Sequence, residues 1–338
     1  MIKLSDYVIR FIETLGVKHL FLLSGGGSMH LVDSIGRSKK LDYTCNIHEQ
    51  ACAIAADAYG QYTNNLGVAL VTTGPGGTNT LTGVSASWLD STPVLIISGQ
   101  VKRADMVGNR GVRQMGFQEI NIIDLVKPIT KYAVTVKEPE KIKYHLEKAV
   151  SLARNGRPGP AWVDIPLDVQ AAMIDEKHLE GYQEENKQSC PDALRDNVSQ
   201  MIDILNQSER PAILIGNGVR LAGGIDDFEE MVEILQIPVL LTWKTMDLLD
   251  DGHPLFAGLP GIVGQRVANF TLQNSDFILS VGARLDFGQI GFNHRHFARV
   301  AKKIIVDIDP NEINKMEFSI DVSICSDSRK FLQEFIRQ

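Results

Sequence analysis

One feature constrains this chain more than any other: from residue 5 to about 170, helix-period segments alternate with short β-rich runs. A strand that must pair in parallel with the next one needs a crossover between them, so this rhythm predicts βα units around a parallel sheet. Strands are expected at His19–Leu23, Leu41–Cys45, Gly67–Thr72, Val94–Ser98, Ile129–Val136 and Ala161–Ile165, with helices near 5–15, 28–36, 48–62, 77–89, 119–126 and 138–154. Arg157-Pro158-Gly159-Pro160 stops the last helix, because a prolyl ring has no N–H to donate and disfavours a helical residue before it. Residues 174–195 then carry Asp175, Glu176, Lys177, Glu180, Glu184, Glu185 and Lys187 with few apolar anchors, which reads as a linker. A second series follows, with strands at Ala212–Ile215, Val239–Thr242, Phe277–Val281 and Lys303–Ile308 and helices near 193–206 and 224–235. The expected fold is α/β, two consecutive doubly wound parallel-sheet domains at 1–172 and 193–338, joined by a linker at 173–192.

Charge and hydropathy exclude several partners. Lys and Arg number 34 against 41 Asp and Glu, a net charge of −7, so no basic surface is offered to nucleic acid. The longest apolar runs, Pro93 to Ile97 and Ile304 to Val306, fall far short of the ~20 residues that cross a bilayer. Residues 1–16 interleave Lys3, Asp6, Arg10 and Glu13 with apolar side chains, an amphipathic helix rather than a signal peptide, which points to the cytoplasm. The four cysteines, Cys45, Cys52, Cys190 and Cys325, form no CxxC pair and have no His at zinc-finger spacing, so they read as reduced and structural, and no metal ligands are assigned.

The glycine-rich stretches fit neither GxGxxG nor a P-loop: Gly25-Gly26-Gly27-Ser28-Met29-His30 and Gly74-Pro75-Gly76-Gly77-Thr78-Asn79 lack the closing glycine, and Gly216-Asn217-Gly218 is followed by Val219, Arg220 and Leu221. Asp286-Phe287-Gly288 has no kinase context. The first two glycine turns nevertheless each lie between a strand and a helix, and two on one sheet edge, with a third at Ser98-Gly99-Gln100, point to a ligand crevice. His48-Glu49-Gln50 opens a helix of small residues, Ala51 to Ala58, which implies enclosure by other elements or by a second subunit. Glu49 has two readings. It closes a capping box with Asn46, or it is a buried carboxyl suited to sharing a proton with a ring nitrogen. The stretch 100–116 carries Arg103, Arg110 and Arg113, which read as an exposed charged loop, while Phe117 and Gln118 at its end are the stronger functional candidates. In the second series, Gly282-Ala283-Arg284-Leu285-Asp286 and Val306-Asp307-Ile308-Asp309-Pro310 each follow a buried strand, where an Arg fork suits phosphate and acidic groups suit ribose; either is equally a surface ion pair.

Taken in order, Gly25 to Met29, His48 to Ala51, Thr73 to Asn79, Ser98 to Val101, Gly116 to Glu119, Gly156 to Pro160, Val163 to Pro166, Gly282 to Asp286 and Asp307 to Pro310 resemble the thiamine-diphosphate enzymes of the acetolactate synthase group. The resemblance implies a pyrimidine-binding first domain and a Rossmann-like central domain that holds FAD in acetolactate synthase-like members. It gives Glu49 the catalytic role of hydrogen-bonding the cofactor's aminopyrimidine, so that the ring nitrogen removes the thiazolium proton before attack on a 2-oxo acid such as pyruvate. It places Gly26, Gly27, Thr73, Gly74, Pro75, Gly76, Asn79 and Gln118 at the cofactor, Gly27, Phe117 and Gln118 on the substrate side, and Gly216, Gly218, Thr242, Lys244, Arg284, Asp286, Asp307 and Asp309 at FAD.

The family's third domain holds Mg²⁺ and the diphosphate through a Gly-Asp-Gly element and a later Asn; no Gly-Asp-Gly occurs in this sequence. The expectation is that this polypeptide binds the cofactor weakly by itself, as a truncated form or beside a separate chain that carries that domain. Ser24 stands where the family often has proline. A homo-oligomer, at least a dimer, is also implied. The alternatives are a non-catalytic nucleotide- or FAD-binding scaffold and another 2-oxo-acid decarboxylase or oxidase of the same fold.

Overall fold

The computed structural model describes residues 1–184 and 191–338 and divides the chain into two compact units, Met1–Asn186 and Lys187–Gln338. In the first, β1 (Ile2–Lys3) pairs antiparallel with β8 (Met173–Ile174) beside a six-stranded sheet. That sheet consists of β2 (His19–Leu22), β3 (Asp42–Cys45), β4 (Gly67–Val71), β5 (Val94–Gln100), β6 (Tyr132–Thr135) and β7 (Pro160–Pro166), in the order β3-β2-β4-β5-β7-β6 with every pairing parallel.

Side-chain alternation along the central strands builds two cores. Val68, Leu70, Leu95 and Ile97 face helices Leu4–Thr14 and Ile142–Arg154, whereas Ala69, Val71, Val94 and Ile96 face Cys52, Ala53 and Ala56 of helix Glu49–Thr63 and Val84 of helix Leu81–Asp90. Both faces being covered, β4, β5 and β7 are buried at every position, and β4 and the Val94–Ile97 part of β5 read as continuous apolar runs rather than alternating ones. The order of strands reverses between β2 and β4, the switch point where an open α/β sheet presents a crevice at its carboxyl edge.

The second unit repeats the plan with β9 (Pro211–Ile215), β10 (Val239–Leu241), β11 (Phe256–Gly258), β12 (Phe277–Val281), β13 (Lys302–Asp307) and β14 (Val322–Cys325), all parallel, in the order β11-β10-β9-β12-β13-β14. Ile213, Leu279 and Ile304 pack with Phe228, Phe331 and Phe335 on one face, while Leu214, Ile278 and Ile305 pack with Ala268 and Leu272 on the other. The α/β, doubly wound expectation is met in both units.

Some elements differ from the expected pattern. The helix foreseen over 77–89 is two, Pro75–Thr78 and Leu81–Asp90, because Thr80 between them turns its hydroxyl onto the Gly77 carbonyl at 2.6 Å. Strands β11 and β14 were not foreseen: one has three residues and the other alternates buried Val322 and Ile324 with exposed Ser323 and Cys325, a weak signal in so short a run. The linker range 173–192 lies partly outside the described residues. Its first part is anchored on the first unit, through the β1–β8 pairing, buried Leu179 and a 2.7 Å hydrogen bond from the Tyr182 N–H to Glu147. Cys45, Cys52 and Cys325 are free thiols, and Cys190 lies outside the described residues. Among the described residues no helix is long and apolar enough to cross a membrane.

Candidate active site

The carboxyl edge of β2, β4 and β5 carries the glycine turns after β2 and β4, whereas Ser98, Gly99 and Gln100 continue β5 instead of forming the expected third turn; side-chain hydrogen bonds join the three. The Gly27 N–H donates to Thr72 Oγ1 at 3.1 Å, Thr73 Oγ1 donates to the Gly99 carbonyl at 3.1 Å, and Gln170 Nε2 donates to the Gly27 carbonyl at 2.7 Å. A Cβ on Gly99, near the end of β5, would stand 2.1 Å from the Gly27 carbonyl oxygen, so only glycine lets the turn after β2 meet the end of β5. Gly74, at φ +61°, faces the turn's other neighbour: its missing Cβ leaves room for the Gln118 carbonyl oxygen, which would lie 1.8 Å from such an atom. Gln118 itself has φ +59°. Pro75 then starts the short helix Pro75–Thr78, its fixed φ suited to the first helical position.

Glu49 sits beside this cluster at the start of helix Glu49–Thr63, only 8% exposed. It does not tie off its own helix. That task falls to His48, whose Nδ1 accepts from the Gln50 N–H at 3.1 Å, so the capping-box reading does not hold here. Glu49 Oε2 instead accepts from Asn79 Nδ2 at 2.9 Å, and Oε1 accepts no hydrogen bond among the described residues. A Cβ built on Gly76 would come within 3.5 Å of that Oε1. The arrangement is a buried carboxylate held in place by one amide, with its second oxygen beside Gly76, where a Cβ would also meet Thr72 Cγ2 at 2.7 Å.

The structure therefore brings together Glu49, Asn79 and Gly76, with Gly27, Thr73, Gly74 and Gln118 in the adjoining turns. Gly26 forms part of the same turn, the 3₁₀ segment Gly26–Ser28. Phe117 is 83% exposed and makes no such contact. Thr72 and Gln170 were not among the expected site residues. Thr72 stands next to one that was, whereas nothing in the local sequence points to Gln170, 143 residues from the turn it supports.

In the second unit the turns after β9, β10, β12 and β13 bring Gly216, Gly218, Thr242, Lys244, Arg284, Asp286, Asp307 and Asp309 to one sheet edge. The glycines serve close approach: a Cβ on Gly216 would stand 2.1 Å from Ala283 Cα, and one on Gly218 would stand 2.7 Å from Gly282 Cα. Arg284 pairs with Asp286, Asp307 accepts from the Asp309 N–H at 3.0 Å, and Asp309 accepts from the Asn311 N–H at 3.0 Å. Thr242 Oγ1 lies 3.2 Å from Thr245 Oγ1.

These features define a doubly wound α/β protein with a cluster of glycine turns and a buried carboxylate at the switch point of its first sheet, and a second unit of similar build. Residues 2–125 match the model of the thiamine pyrophosphate enzyme N-terminal TPP binding domain, and residues 198–335 match that of the thiamine pyrophosphate enzyme central domain. The chain belongs to the thiamine pyrophosphate enzymes and carries those two domains. It is 35% identical over 336 residues to an acetolactate synthase of Arthrospira platensis, covering 96% of this chain and 56% of that protein. It is 34% identical over 340 residues to a probable acetolactate synthase large subunit of Methanocaldococcus jannaschii, covering 99% and 56%. With the acetolactate synthase large subunit of Lactococcus lactis it shares 32% identity over 341 residues, covering 98% and 56%. The chain thus spans a little over half the length of these relatives.

Proposed function

We propose that this chain serves an acetolactate synthase-like reaction, in which pyruvate is decarboxylated and its two-carbon unit is joined to a second carbonyl. The observation that carries the reading is Glu49: a buried carboxylate, fixed by Asn79, with one oxygen left to accept a hydrogen bond from a ring. The residues fit thiamine diphosphate on its pyrimidine side. Gly76 sets no side chain against Oε1, where a Cβ would come within 3.5 Å, and Thr73 and Asn79 supply polar side chains beside it. When bound, that cofactor supplies the thiazolium carbon that adds to the 2-oxo acid and the electron sink for decarboxylation. The task of this chain is to hold Glu49 Oε1 against the ring nitrogen so that the two share a proton, with Asn79 keeping the carboxyl from rotating. Gly26 and Gly27 admit the substrate next to the ring, with Phe117 and Gln118 closing its far side.

FAD in the second unit is part of the same reading, supported by the glycine turns and the Arg284–Asp286 pair at one sheet edge. Mg²⁺ and the diphosphate are assigned to groups outside residues 1–338, where no Gly-Asp-Gly element occurs, and the working form to a cytoplasmic homodimer. The test adds a diphosphate-binding domain in trans with Mg²⁺ and thiamine diphosphate and follows pyruvate consumption. Glu49→Gln, which keeps the size of the side chain but not its proton exchange, should lower the rate by roughly a hundredfold or more. An unchanged rate overturns the assignment. Flavin absorbance of the purified chain checks the FAD part, which a colourless protein that binds no added FAD would remove.

A further inference from the structure

We propose that Asp164 is a positioning residue: through Gln100 it ties down both ends of the 101–120 segment and so fixes where Phe117 and Gln118 stand at the crevice. The inference rests on the reading of that crevice as the substrate side. Asp164 lies on β7, a strand buried along its whole length, and is itself fully buried. A carboxylate there is costly unless every oxygen is satisfied. Three neutral donors do so: Ser98 Oγ at 2.6 Å, Thr135 Oγ1 at 2.9 Å and Gln100 Nε2 at 3.3 Å. Trp162 Nε1 in turn donates to Ser98 Oγ at 2.8 Å, which fixes that hydroxyl's direction.

Packing alone does not call for a charge at this position, and the chain pays attention to where it points. Gln100 is 2% exposed, and its amide reaches three groups. Its Nε2 donates to Asp164 and, at 3.3 Å, to the Ile120 carbonyl; its Oε1 accepts from the Val101 N–H at 2.9 Å. An amide has distinct donor and acceptor ends, so an acceptor-only carboxylate under Nε2 dictates that Oε1 faces Val101. One side chain thereby holds the first residue after β5 and the last before Asn121, which caps helix Ile122–Val126.

Between those ends the segment is braced by Glu119, whose carboxylate accepts from the N–H groups of Val107 at 2.5 Å, Met115 at 3.2 Å and Gly116 at 3.1 Å. Gly116 lies against Val101, where a Cβ would come within 2.7 Å, and the Gln118 carbonyl lies against Gly74. A shift of the Gln100 amide is therefore passed to Gln118 through a braced loop, not absorbed by a slack one.

Hydrogen–deuterium exchange on the purified chain tests this. Asp164→Asn should speed exchange at the Val101, Val107, Met115 and Gly116 amides by roughly tenfold, the scale of one lost hydrogen bond to a charged group. Exchange in helix Ile142–Arg154 should stay unchanged. Gln100→Leu should give the same local effect, and the double variant should be no faster than the faster single one, because both act on one link. Unchanged loop exchange, a rise shared equally with the helix, or additive effects would overturn the proposal; should Asp164→Asn not fold, Gln100→Leu alone decides it by the same amides. In the complemented enzyme Gln100→Leu should raise KM for pyruvate several-fold more than it lowers kcat. A wild type without pyruvate turnover would count against the functional reading while leaving the exchange result intact.

Discussion

At the scale of single residues, the site depends as much on missing side chains as on present ones. Gly74 combines a left-handed φ of +61° with a carbonyl oxygen that would stand 1.8 Å from any Cβ, so alanine there meets both backbone strain and a clash that no rotamer relieves. Gly74→Ala should cost about 2 kcal/mol or more of stability and displace Gln118, whereas Gly36→Ala, at a helical position with nothing within 4 Å, should not destabilise. Urea unfolding of both variants checks this; equal midpoints would show that the Gly74–Gln118 contact is slack. Glu49 was legible from the sequence only as a choice between two roles, since spacing describes the helix it starts and not the Asn79 amide thirty residues away that holds it.

At the scale of elements, the pairing of β5, β6 and β7 buries a charge that titrates within the accessible range. Burial pushes the Asp164 carboxyl up from 3.8 to about 6, against the pull of the hydrogen bonds from Ser98, Thr135 and Gln100. A folded state that holds the proton more tightly than the unfolded chain is favoured at low pH. This contribution is therefore fully present below about pH 4 and is lost as the pH rises through about 6. The span corresponds to on the order of 3 kcal/mol. Urea unfolding of wild type and Asp164→Asn from pH 4 to pH 7 should show their stability difference changing across that window and level above it; a difference constant with pH would refute the assignment of the raised carboxyl. The strands and helices around Asp164 were themselves legible, because long apolar runs such as β4 and β5 and amphipathic helices such as Ile142–Arg154 carry strong periodic signals. The three-residue β11 and the network joining Ser98, Gln100, Thr135 and Asp164 were not. Its members lie up to 66 residues apart and meet only because β5 and β6 both register against β7.

At the scale of the whole molecule, the first unit leaves a surface that its own fold does not cover. Helix Glu49–Thr63 buries Cys52, Ala53, Ala56 and Gly60 but exposes Ile54, and helix Leu81–Asp90, packed against it, exposes Trp88 and Leu89. Near the same helix start, every residue of the edge strand β3 is exposed and Ile47 is 99% exposed. Large apolar side chains exposed on neighbouring elements are the feature of this unit that points to an association surface. The small residues of helix Glu49–Thr63 thus serve one buried face within the chain, and the other face is the part proposed to meet a second copy. Sedimentation velocity should show a dimer whose population rises with protein concentration. Ile54→Asp should shift it to monomer, since a charge there is harmless in water and costly once covered. Because Ile54 is 47% exposed in the chain itself, far-ultraviolet circular dichroism and the urea midpoint of the monomeric variant should remain close to wild type. A wild type that sediments as a monomer at every concentration, or a variant that dimerises as well as wild type, would place the association surface elsewhere or remove it.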